Sequence, residues 1–87
     1  MTEPSVTWSP TARRDLQRLP ESVATAVIEL VYGALTDEPT RLGKPLQGQF
    51  VGLWVARRGD YRVIFRPGER GLEIITIAHR RDAYRPR

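Results

Sequence analysis

The chain has no cysteine, a single histidine (His79) and a single lysine (Lys44). Without cysteine it can form no disulfide, no thiolate metal site and no thiol nucleophile. One histidine argues against a metal centre. No window approaches ~18 consecutive apolar residues, so no membrane-spanning helix is expected. The N-terminus lacks a basic segment followed by an apolar run, so no signal peptide is expected. These absences point to a soluble protein of the cytoplasm with no membrane association. Eighty-seven residues suffice for one small domain over 1–87.

Charge is abundant but unevenly placed. The net charge is +4, yet residues 1–40 carry a net −3 and residues 41–87 a net +7. A basic half of this kind suits a polyanionic partner. Thirteen of the fourteen basic residues are arginine. The planar guanidinium matches phosphate oxygens and stacks on bases, which an ammonium does not do.

Taken in order, Val6-Thr7-Trp8 alternates like a short edge strand. Ser9-Pro10 is a helix start, with serine as N-cap and proline at the first helical position. The first helix is expected from Pro10 to Leu19, with Ala12, Leu16 and Leu19 as its apolar stripe. Pro20 interrupts it and opens a second helix that ends near Thr36, before Asp37-Glu38-Pro39. Val23, Val27, Leu30, Val31, Ala34 and Leu35 fall at amphipathic spacing in that helix. Residues 40–52 are expected to be irregular, with Leu42 and Leu46 pinning them down and Arg41 and Lys44 exposed.

Three strands follow. In the first, Leu53 and Val55 are expected to face the helices, with Trp54, Ala56 and Arg58 pointing away. Gly59-Asp60 is the turn. In the second, Tyr61, Val63 and Phe65 share one face, and Arg62, Ile64 and Arg66 the other. Residues 67–71 form a longer hairpin loop. The third strand, Leu72 to His79, is apolar on both faces, so it is expected to be central and covered on both sides. The fold class is α+β: a small antiparallel sheet with a helical hairpin on one face, in the order β-α-α-β-β-β.

Several segments together resemble the RelE/ParE toxin superfamily, the toxin half of bacterial type II toxin–antitoxin pairs. They are Trp8-Ser9-Pro10-Thr11-Ala12-Arg13-Arg14-Asp15-Leu16, Leu42-Gly43-Lys44-Pro45-Leu46 and Gly52-Leu53-Trp54. The most specific is Arg57-Arg58-Gly59-Asp60-Tyr61-Arg62-Val63-Ile64-Phe65 followed by His79-Arg80-Arg81-Asp82-Ala83-Tyr84. The wording is nearest the RelE-like branch. The resemblance implies a ribosome-dependent endoribonuclease that cuts mRNA in the ribosomal A site. In that chemistry the ribose 2′-hydroxyl attacks the adjacent phosphate, leaving a 2′,3′-cyclic phosphate and a 5′-hydroxyl, with no metal or cofactor. A base, a phosphorane-stabilising cation and an acid for the leaving oxygen are required.

By the same resemblance, Arg62 is the phosphate-stabilising arginine. Arg80 stabilises charge or protonates the leaving group, and Tyr84 stacks on or orients a base. His79 is either acid–base or structural, and Arg57 is a cation on the preceding strand. Arg41, Lys44, Arg58, Arg81 and Arg85 are further RNA-contacting cations. The sequence departs from the best-known members, which have lysines on the strand read here as Leu53-Trp54-Val55-Ala56-Arg57. Arginine is a poor base, so either His79 deprotonates the nucleophile or Arg57 only stabilises charge. Lys44, on the irregular connection, is not assigned that role. The implied partners are an acidic RelB-like antitoxin, the ribosome with its mRNA, and operator DNA only through the antitoxin. The alternatives are ParE-like inhibition of DNA gyrase, or nucleic-acid binding without catalysis.

Overall fold

Ser9 begins the first helix as its position predicts. Its hydroxyl accepts the Ala12 amide at 3.0 Å, with Pro10 at the first helical position. The same hydroxyl donates to the Ile75 carbonyl at 2.7 Å, so the cap also fastens the helix to the sheet. The computed structural model describes residues 5–69 and 71–82. Its elements are β1 (Ser5–Trp8), α1 (Pro10–Arg18), α2 (Glu21–Leu30), α3 (Pro39–Leu42), β2 (Lys44–Pro45), β3 (Trp54–Arg58), β4 (Tyr61–Gly68) and β5 (Gly71–His79).

Leu19 is extended ahead of Pro20, as the ring of a following proline requires, and α2 starts one residue later. Val27, Val31 and Leu35 recur every four residues and are fully buried. The helical path continues past Leu30 through a wide turn at Val31–Leu35, where Gly33 leaves helical geometry (φ −106°, ψ −108°). Glycine tolerates that break, and the amphipathic pattern across it gives no sign of it.

The sheet has five strands in the order β1-β5-β4-β3-β2. It is mixed, where an antiparallel sheet was expected. β1 runs parallel to β5 (Val6 opposite Leu72, Trp8 opposite Ile74), and the other pairs are antiparallel. The alternation of a four-residue strand carries no information about its direction. That is set by the helical hairpin that carries the chain away from it. The helices cover one face, where Ala12, Val27, Val31, Leu35, Ala56, Val63, Phe65, Leu72, Ile74 and Ile77 form a single buried cluster. Among the described residues, no helix is long and apolar enough to cross a membrane.

Residues 67–71 are not a longer loop, since β4 runs to Gly68 and pairs there with Gly71 at the start of β5. Three further expectations about the sheet need correction. First, β3 is turned over. Trp54 lies opposite Phe65 and Ala56 opposite Val63, so Trp54 and Ala56 face the helices and Val55 faces away. Ala56 is 2% exposed; a small side chain there lets the helices approach. Second, β5 is apolar at 72, 74, 75 and 77 because its register shifts. Phe65 is opposite Ile74 but Ile64 is opposite Thr76, which leaves Ile75 as an extra residue in a β-bulge. The bulge returns Ile77 to the helix side with Leu72 and Ile74. The strand lies inside the sheet but is not its middle strand. Third, residues 40–52 are partly regular, with α3, β2 and a tight helical turn at Gly48–Phe50. Leu42 is 44% exposed. The connection is instead seated at Gly43, where a β-carbon would stand 2.7 Å from the Phe65 ring.

Beyond Ile74 the outer edge of β5 meets α1, with no strand beside it among the described residues. The Asp15 carboxylate accepts the Ile77 amide at 3.0 Å and the Thr76 hydroxyl at 2.6 Å. It supplies the acceptor that a neighbouring strand would otherwise provide.

Candidate active site

The β3–β4 hairpin turns at Gly59-Asp60, with Gly59 at φ +59°, a conformation glycine adopts without penalty. The two-residue turn fixes the register, and the register decides which arginines meet. Arg57 lies directly opposite Arg62, and Arg62 directly opposite Ala78. Directly opposed residues share a face, so these three form one row on the face away from the helical core. The next row on that face is Lys44, Val55, Ile64 and Thr76. Arg66 and Glu73 are opposed further along.

The cations on this face differ in their partners. Arg66 is bound to Glu73 at 3.0 Å. Among the described residues no carboxylate pairs with Arg57, Arg62 or Lys44. Arg62 is half-buried and donates from Nη1 to the Tyr61 carbonyl at 3.4 Å. Two like charges directly opposed across a strand pair repel, and an anion between them would relieve that repulsion. A phosphate fits the requirement, because each guanidinium can offer parallel N–H donors.

The remaining candidates are distributed as follows. Lys44 is not on an irregular connection: it belongs to β2 and shares the Arg57–Arg62 face. Arg80 lies two residues past Ala78. Its amide donates to the Asp60 carbonyl at 2.7 Å and its Nε stands 3.9 Å from the Asp60 carboxylate, so it is anchored at the hairpin end of the site. His79 is opposite Tyr61 and therefore on the helix side, away from Arg62. Its ring meets the Tyr61 ring edge-on at 5.4 Å, and its Nδ1 accepts the Arg81 amide at 3.3 Å. Arg58, also opposite Tyr61, is on the helix side. Arg41 is exposed on α3 and bound to Glu38 at 3.1 Å. Arg81 is exposed. Tyr84 and Arg85 lie outside the described residues. Among the described residues no group of three or more His, Cys, Asp or Glu side chains is placed to hold a metal ion.

Sequence reasoning missed a cleft beside the arginine row. It has a volume of about 320 Å³ and is lined by Thr11, Asp15, Phe50, Ile64, Ile75 and Ala78, among others. Asp15 and Thr11 stood inside a quoted motif, but their spacing said nothing about facing the sheet. Phe50 gave the one available signal, an aromatic residue between Gly48 and Gly52 in a polar connection.

Comparison with known proteins bears on the family and the fold. A family model described as the ParE toxin of the type II toxin–antitoxin system parDE matches residues 6–84. The chain is 54% identical over 77 residues to Toxin RelE of Mycobacterium tuberculosis, covering 86% of this chain and 79% of that protein. It is 42% identical over 83 residues to Toxin RelG of the same organism, covering 93% and 95%. The crystal structure of the toxin–antitoxin complex RelBE2 from Mycobacterium tuberculosis matches with a TM-score of 0.84 at 39% identity, covering 90% of this chain and 99% of that one.

Proposed function

We propose, from the premise that this chain belongs to the ParE toxin family and is a RelE-like toxin of a type II toxin–antitoxin system, that it is a ribosome-dependent mRNA endoribonuclease. The observation that carries this reading is the opposed Arg57–Arg62 pair, without carboxylate partners among the described residues, on the face of the sheet away from the helices. The scissile phosphate sits between the two guanidiniums. The ribose 2′-oxygen attacks phosphorus as it loses its proton, and the bond from phosphorus to the 5′-oxygen breaks. A proton delivered to that oxygen completes a 5′-hydroxyl, and a 2′,3′-cyclic phosphate remains. Arg57 and Arg62 stabilise the charge that grows on the equatorial oxygens, where fixed donors act most strongly. Arg80, held by Asp60 at the end of the row, adds charge stabilisation, and solvent water supplies the proton to the leaving oxygen.

The proton acceptor has to share the face. His79 is on the other side of the sheet, and a guanidinium does not deprotonate in proteins. Lys44 supplies the amine on this face, across β2 from the lysine-free β3, and we assign it proton transfer. Lys44→Met should then abolish cleavage, and Lys44→Arg should fail to restore it. Restoration by arginine would reduce Lys44 to a charge. Tyr84 stacking on a base, and RNA contacts from Arg41, Arg58, Arg81 and Arg85, belong to the same proposal.

Cleavage of a defined mRNA with and without ribosomes tests the whole reading. Cuts within codons only on programmed ribosomes are expected. The matching family model favours one alternative, inhibition of DNA gyrase: continued translation with falling gyrase activity would establish that instead. The likeness to the RelBE2 complex supports a RelB-like antitoxin as partner, acidic so as to cover the basic face, with operator DNA contacted only through it. A cytoplasmic location follows from a ribosomal target.

A further inference from the structure

The cleft next to the arginine row lies one step along the strands from Arg62. Ile64 and Thr76 form its central row, and they are two residues along β4 and β5 from Arg62 and Ala78. Two residues of strand advance about 6.8 Å, a spacing comparable to that between a backbone phosphate and its own base. The floor is apolar: Ile64 is 3% exposed, and Ile75 and Ala78 lie beside it. Ile75 reaches this floor because the bulge makes it an extra residue in β5. Phe50 and Leu53 line it on the β3 side and Thr11 and Asp15 on the α1 side, and Asp82 brings a second carboxylate to the lining. Asp15 uses one carboxylate oxygen, Oδ2, for both of its bonds to β5. Its other oxygen has no partner among the described residues and keeps its acceptor capacity.

We propose that this cleft is a nucleobase subsite, resting on the phosphate site proposed above, and that it prefers a base with an exocyclic amino group. A flat π-face suits the apolar floor of Ile64, Ile75 and Ala78, and a non-directional apolar contact tolerates any base. Selectivity enters at Asp15. A carboxylate accepts from the amino group of adenine, cytosine or guanine, as acidic side chains do from cytosine in nucleic-acid recognition. Uracil has only its N3–H to offer there, set between two carbonyl oxygens that the carboxylate repels. Asp15 thus has two tasks, closing the edge of β5 with one oxygen and reading a base with the other.

The test needs neither ribosomes nor catalysis. The ¹⁵N-labelled full chain is titrated with CMP, UMP and ribose 5-phosphate and followed by amide shifts. Ribose 5-phosphate should move Arg57 and Arg62 alone. CMP should in addition move Ile64, Ile75, Thr76 and Ala78, and bind about tenfold tighter than UMP, as one hydrogen bond to a charged group allows. Asp15→Asn, which keeps an oxygen for β5, should erase the difference between CMP and UMP. Ala78→Leu should fill the cleft, so that CMP binds no better than ribose 5-phosphate.

Identical shift maps for CMP and ribose 5-phosphate overturn the subsite and leave the phosphate site standing. Equal affinity for CMP and UMP in the wild type overturns the reading role of Asp15. Silence at Arg57 and Arg62 with every ligand overturns the phosphate site and the subsite together. The expected maps, with no cleavage on ribosomes, would uphold the subsite and refute the nuclease.

Discussion

On its helix-covered face the sheet carries Ala56, Val63, Phe65, Ile74 and Ile77. On the other, the same strands carry Arg57, Arg62 and Arg66, with Lys44 at the edge, around the buried Val55 and Ile64. Both faces come from one alternation in β3 and β4, and both are held in place by one two-residue turn. They differ in what satisfies them. The covered face is complete: its apolar groups meet α1 and α2, and among the described residues no buried side-chain polar atom lacks a partner. On the open face like charges stand opposed, and among the described residues Arg57 and Arg62 have no carboxylate partner. A sheet that is cooperative on one side and frustrated on the other can lose a charge from the second side with little loss of stability on the first.

The largest effect should come from the covered face. Phe65 is fully buried at the centre of the cluster and also touches the connection at Gly43. Phe65→Ala should cost roughly 3–5 kcal/mol, enough to unfold much of a small domain, as read by chemical denaturation. A loss under about 1 kcal/mol would mean that the cluster is not the core.

Arg62→Ala should do the converse. Denaturation should change by no more than about 0.5 kcal/mol, since a half-exposed arginine without a carboxylate contributes little to folding. Cleavage on ribosomes should fall roughly 10²–10³-fold, the loss typical of one charge-stabilising donor. Arg57→Ala should follow it. If both variants stay toxic and fully active, the open face is not the site. If both unfold, the two faces are not separable.

How legible each face was follows from the physics that makes it. The buried set Val63, Phe65 and Ile74 could be read directly, because burial selects residue type and β4 keeps a clean period of two. β3 was turned over because Leu53, Trp54, Val55 and Ala56 are all apolar, and only pairing with β4 says which two face the helices. The bulge at Ile75 was invisible because it shows only against a partner strand. On the open face, the motif singled out Arg62, and its place opposite Arg57 follows from the turn. The grouping of Lys44 with it could not, because two residues of β2 are too short to show alternation. His79 was drawn toward the site by its place in the sequence, and one position of register puts it on the other side.

A third substitution touches the seam between the faces. Asp15→Ala removes the acceptor of the Ile77 amide and the Thr76 hydroxyl. Leaving such partly buried donors unmatched costs about 1–3 kcal/mol. Hydrogen exchange should show the loss at Ile77 first. Protection unchanged there would mean that water replaces the carboxylate without penalty.

The smallest effect should come from Glu73, and it asks whether the open face is defined by position or by partnership. Arg66 shares that face with Arg62 but is bound to Glu73, and the two side chains are 58% and 41% exposed. Exposed pairs of this kind contribute about 0–1 kcal/mol and less in high salt. Glu73→Ala should therefore lower stability by a few tenths of a kcal/mol at low ionic strength, and by nothing measurable near 1 M salt. It should also release Arg66 as a third unpaired arginine on the face. Single-stranded RNA should then bind the variant tighter, with a steeper salt dependence because one more cation is available to phosphates. If RNA affinity and its salt slope are unchanged, pairing with Glu73 was never what kept Arg66 out of the site. Distance from the Arg57–Arg62 row would then define the site, and the free and paired arginines of this face would differ in place alone.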